Sequence, residues 1–135
     1  MTGLIWFVQI VHYPLFKAVG NEAIQSYAVQ HASRTSFVVI IPMLLELASA
    51  TYLFFYRPEW ISWGESVASL TLVILIFAST FFLQVPLHNL IQSSGSQTYI
   101  TSLVMTNWVR TICWTVRAGL LSYVMLRVLT FVAKN

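Results

Sequence analysis

The chain has 135 residues, 58% of them hydrophobic and 8% charged, with a mean hydropathy of +0.76. A soluble domain of this length carries roughly 34 charged side chains; this one has seven basic and four acidic, too few to cover its apolar surface in water. Nine Phe, six Tyr and five Trp exclude a disordered chain. Long unbroken apolar blocks exclude the alternating strands of a membrane barrel, a single cysteine (Cys113) excludes an internal disulfide, and no basic cluster offers a grip on nucleic acid.

The pattern predicts an all-α integral membrane protein: an up-down four-helix bundle with a short interfacial helix between the first two spans. One transmembrane domain covers residues 1–135, with spans near 3–20, 36–56, 66–88 and 101–133. The first block lacks the charged start of a signal peptide and is interrupted by Gln9, His12 and Pro14, so it reads as a retained span. Asn21 and Glu22 suit a helix start, and Ile24, Tyr27, Ala28 and His31 make an amphipathic face; residues 21–34 are therefore predicted as the interfacial helix. The second span holds Pro42 and Glu46 and ends at Arg57-Pro58-Glu59-Trp60, with Trp60 and Trp63 suited to the headgroup zone. The third closes on Gln84-Val85-Pro86-Leu87-His88, and residues 91–98 are predicted as a polar loop. The fourth carries Asn107, Arg110, Arg117 and Arg127. Four spans put both termini on one side. Arg57, Arg127 and Lys134 on that side balance Lys17, Arg34 and Arg110 on the other, so the basic residues set no orientation.

A charge near the bilayer centre costs about 2.5–3.5 kcal/mol on insertion scales, and polar or ionisable residues within spans normally face the interior, so each one marks a functional position by default. At 3.6 residues per turn every helix carries one polar stripe. These are Gln9, His12 and Tyr13 on the first; His31, Arg34, Val38, Pro42 and Glu46 on the second; Thr80, Gln84 and His88 on the third; and Asn107, Arg110, Trp114 and Arg117 on the fourth. By depth they weigh toward the side opposite the termini, with Asn107 and Arg110 expected in the first turns of the fourth helix.

Three histidines and one membrane carboxylate have the composition of a transition-metal site, and His12, His31, Glu46 and His88 are the candidate ligands for Fe, Cu, Mn or Zn. No two of them show a ligand spacing such as HExxH, and a bundle histidine also serves as a plain hydrogen-bonded interior residue. Glu46 has a second role open to it, pairing with Arg110 or Arg117. Arg34 and Arg110 suit planar oxygens of a ligand. Tyr13 beside His12 is a candidate acid or radical site.

The segments Gln84-Val85-Pro86-Leu87-His88-Asn89 and Asn107-Trp108-Val109-Arg110-Thr111, with His12-Tyr13-Pro14 closing the first helix, resemble the anthrone-oxygenase-like family of small four-helix membrane proteins. His88 stands where that family more usually has Asn, with Asn89 following. The resemblance implies a four-helix bundle, oxidation of polycyclic phenolic carbonyl compounds with molecular oxygen, and Pro86, His88, Asn89, Trp108 and Arg110 as pocket residues.

Together these readings predict an oxygenase-like membrane oxidoreductase acting on a lipophilic substrate among membrane lipids. His12, Tyr13, His88 and Arg110 are the expected catalytic residues, and Arg34, Asn89, Asn107, Trp108 and Arg117 the expected substrate-binding ones. The alternatives are an oligomeric transporter, for which the small residues at Ala48-Ser49-Ala50 and Ala118-Gly119 offer association faces, a non-catalytic binder of lipids or small molecules, and a structural subunit.

Overall fold

In a computed structural model, residues 1–133 are described. All regular structure among them is helical. Helix α1 covers residues 2–18, α2 Ile24–Phe55, α3 Trp63–Ser94 and α4 Gln97–Val132. The last three, of 32, 32 and 36 residues, are long and apolar enough to cross a membrane, which takes about 20 apolar residues. Large apolar side chains stand exposed along them, among them Phe37, Phe82 and Leu126. Lys134 lies outside the described residues.

Two boundaries differ from the sequence reading. The predicted interfacial helix is no separate element: α2 runs unbroken from Ile24, because no Gly or Pro interrupts it before Pro42. The chain turns instead at residues 19–23, where Ala23 and Ile24 N–H groups donate to Gly20 O, and Ala23 rather than Asn21 holds the cap position. The predicted loop over 91–98 shrinks to Gly95 and Ser96. Ser93 and Ser94 hydroxyls bond back to Leu90 O, and α3 ends only where Gly95 takes a left-handed conformation at φ 66°. The other end of α3 is fixed by a capping box. Ser62 Oγ accepts from Glu65 N, and Glu65 Oε2 accepts from Ser62 N. Arg127 of α4 donates to the same carboxylate at 2.8 Å and to Trp60 O at 2.6 Å, tying the two helices at that end.

Helix α4 packs along α3 and α1, and α2 packs along α3. Two apolar clusters form the core. One gathers Tyr13, Phe16, Ile24, Ala28, Ile91, Ile100 and Leu103; the other gathers Ile5, Met43, Ile76, Cys113 and Trp114. On α2, α3 and α4 the buried polar residues His31, Gln84, Asn107 and Arg110 fall between the members of the two clusters. The interior is thus a polar layer sandwiched by apolar ones.

Candidate functional site

Two π-helical turns shape the polar layer. Pro14 and Pro86 have no N–H for the carbonyl four residues back. In each case the turn just before the proline widens: Tyr13 N–H bonds to Val8 O across residues 8–12, and Val85 N–H bonds to Thr80 O across residues 80–84. Such bulges recur at functional sites because they re-aim side chains on an otherwise regular helix. Here one carries Gln9, His12 and the start of Tyr13, and the other leads through Gln84 to His88.

The three histidines, from three different helices, come together. His12 Nε2 and His31 Nδ1 share a hydrogen bond of 2.7 Å, and Thr35 Oγ lies 3.1 Å from the same His31 nitrogen. The His31 and His88 rings stack with centroids 5.3 Å apart. Tyr13, itself buried, shares a hydrogen bond of 3.1 Å with His88 Nε2. Phe16 presents its ring to all of His12, His31 and His88 and walls the cluster on the apolar side.

A cavity of about 250 Å³ opens beside this cluster, with Tyr13, His31, Gln84, His88, Asn89 and Arg110 among its lining residues and Leu4, Ile5, Val39 and Met43 among its apolar walls. Buried Arg110 Nε, Gln84 Oε1 and His88 Nδ1 have no hydrogen-bond partner among the described residues. An orphaned buried polar group costs about 1–3 kcal/mol, and these three belong to residues that line the one cavity.

Of the residues expected at the site, His31, His88, Tyr13, Asn89 and Arg110 line this cavity, while His12 and Arg34 line a groove on the outer face of His31. Three others do different work. Asn107 is fully buried; its amide donates to Gln9 Oε1 at 2.9 Å and its own oxygen accepts from Arg110, so it braces the guanidinium from behind. Trp108 packs edge-on against Trp6. Arg117 donates to the Glu46 carboxylate and lies over the Trp114 ring.

Glu46 is therefore not with the histidines. It sits fifteen residues beyond His31 on the same helix, roughly 22 Å at 1.5 Å per residue, and it has taken the pairing with Arg117. The expected stripe on α2 also shifts. The helix buries Ile24, Ala28, His31, Met43 and Ala50, and leaves Arg34 and Val38 exposed. Asn107 and Arg110 lie about three turns inside α4 rather than in its first turns, because the helix starts earlier, at Gln97. Among the described residues no three His, Cys, Asp or Glu side chains surround a common point suited to a metal ion. The His12 and His31 nitrogens aim at each other, so this arrangement does not fit a shared metal centre.

Gln9 and Gln84 carry more of the site than their residue type suggests. Gln9 bonds Val104 O, Asn107 and Thr111, and Gln84 bonds Thr106. Each precedes a site residue by four positions (Gln9 and Tyr13, Gln84 and His88) and each lies ahead of an X-Pro step. That repeated pattern is the signal that marks them.

Comparison of the chain with models of protein families, with curated proteins and with solved structures finds no match.

Proposed function

We propose that this is a multi-pass integral membrane protein, an up-down four-helix bundle with both termini on one side. Its cavity binds a lipophilic molecule bearing a phenolic or carbonyl oxygen and oxidises it with dioxygen. The observation that carries this reading is the meeting of Tyr13, His88 and Arg110 on one cavity whose other walls are largely apolar. An apolar pocket with a few convergent polar groups is the form of a small-molecule site, and exposed apolar helices give a lipid-soluble molecule a route to it.

The chemistry follows from the side chains. The Arg110 guanidinium, held by Asn107, offers N–H donors to the substrate oxygen and stabilises negative charge that develops there. Loss of a proton from an adjacent C–H or O–H to a cavity imidazole leaves an electron-rich anion. Dioxygen, a neutral apolar molecule that partitions into such a pocket, is the oxidant. When a ring methylene becomes a carbonyl, it loses two hydrogens and gains one oxygen atom; the second oxygen leaves as water, and the four electrons balance. The oxidative half of this reading rests on the resemblance of Gln84–Asn89 and Asn107–Thr111 to the anthrone-oxygenase-like family.

The test is oxygen consumption by protein purified in mild detergent and given anthrone, with the product followed by mass spectrometry. One dioxygen per quinone formed is expected, with at least a hundredfold loss in His88→Ala and Arg110→Ala variants that keep their helical circular dichroism. Protein that binds anthrone and consumes no oxygen points instead to a non-catalytic binder.

A further inference from the structure

Among the described residues, His31 is the one titratable side chain that lines both the inner cavity and the groove outside it. One face looks into the inner cavity with His88 and Arg110; the other looks onto a separate groove of about 190 Å³, where His12 and Arg34 lie. The wall between cavity and groove is otherwise Leu4, Val8, Thr35 and Val39, which line both. The direct bond between His31 Nδ1 and His12 Nε2, 2.7 Å long, crosses that wall.

We propose that His31 and His12 form a proton relay that carries the proton removed from the substrate out of the inner cavity into the outer groove. This rests on the oxidative reading above for its source of protons. A neutral imidazole donates from one nitrogen and accepts at the other. With its proton on Nδ1, His31 donates toward His12 Nε2 and toward Thr35 Oγ, both placed to accept, and keeps a lone pair at Nε2 for the cavity. A proton arriving at His31 Nε2 releases the one on Nδ1 to His12 Nε2, and His12 releases its own Nδ1 proton to a water in the groove. Two N–H bonds form and two break, the substrate is left as its anion, and one hydronium forms outside. Both rings finish as the opposite tautomer, and the proton that returns along the same route when the second oxygen atom leaves as water restores them. The whole reaction therefore releases no net proton. The apolar ring of Phe16, against both imidazoles, keeps the proton on this route. His12 touches no substrate in this scheme, so it is a relay residue and His31 is the group at the cavity.

Nuclear magnetic resonance of protein labelled with ¹⁵N-histidine tests the relay directly. A scalar coupling between His31 Nδ1 and His12 Nε2 across the hydrogen bond is expected, lost in His12→Phe. Its absence from the wild type overturns the relay whatever the activity. With anthrone and dioxygen, His12→Phe is expected to lower kcat at least tenfold with KM changed less than twofold, and imidazole added to the buffer restores part of the rate. His12→Gln keeps an acceptor for His31 and supports the fold but passes no proton, so it should show the same loss. Unchanged kcat in either variant overturns the proposal. Wild-type protein that consumes no oxygen with anthrone counts against the oxidative reading, and the relay then stands or falls on the coupling.

Discussion

Glu46 on the second helix is paired with Arg117 on the fourth, an ion pair in which the arginine is almost wholly buried and the carboxylate is partly so. Removing one partner of such a pair strands the other charge. Glu46→Ala should destabilise the protein by about 2–4 kcal/mol, measured by unfolding in graded sodium dodecyl sulfate. The double variant Glu46→Leu/Arg117→Met should recover most of that loss, because it leaves no charge behind. A double variant as unstable as the single would show that packing rather than charge sets the cost.

Gly95 closes the third helix at φ 66°, and a Cβ there would come to 3.0 Å from Ile24 Cγ2 at the start of the second. Both strain and crowding oppose a side chain. Gly95→Ala should cost about 1–2 kcal/mol, and the same unfolding assay checks it. Gly95→Asn relieves only the backbone part, since asparagine tolerates the left-handed region but still carries a Cβ. Its stability should therefore lie no more than slightly above that of the alanine variant.

The hydroxyl of Tyr13 meets His88 Nε2 at 3.1 Å, and both residues line the cavity. Tyr13→Phe removes that bond and little else. A stability loss of about 1 kcal/mol is expected, with a fall in anthrone oxidation of roughly tenfold, in the range of a lost acid–base contact or one orienting it. Activity equal to wild type would remove Tyr13 from the chemistry and leave it as packing.

Pro14 and Pro86 each follow a π-helical turn that places site residues. Pro14→Ala and Pro86→Ala restore the missing N–H and remove the ring clash, so the helices should unfold no more easily than wild type. The widened turns then lose their cause, and Tyr13 and His88 rotate away from their present contact. Reduced oxidation at unchanged or raised stability is the expected pair of results. Variants that lose stability and activity together would mean that the prolines serve the fold and not the site.

Much of the arrangement was legible from residue types and spacing. Eleven charges in the whole chain, with unbroken apolar blocks, point to helices long enough to cross a membrane, and three such helices are present. Helical spacing also places Gln9, Tyr13, His31, Gln84, His88, Asn107 and Arg110 on inward faces, and all are buried or line the cavity. Periodicity works at these positions because a polar group facing lipid finds few partners, which favours the inner face of the helix, whereas Arg34 on the same expected stripe stays exposed.

The choice among partners was not legible. Glu46 had two arginines within reach by spacing and took Arg117, which left Arg110 for the cavity and for Asn107. The histidines read as ligands of one ion, whereas His12 and His31 bond to each other and Glu46 lies far along the helix. Nor did residue type show that Asn107 braces Arg110 or that residues 24–34 continue the second helix. Residue identity and period determine which face of each helix is polar. Which polar groups then meet depends on the rotation, depth and register of one helix against the next, and these are set by the two apolar clusters and the two proline-linked π turns. Only the packed tertiary structure decides them, because a shift of one residue along a helix moves a side chain by 1.5 Å and about 100°, enough to exchange one partner for another.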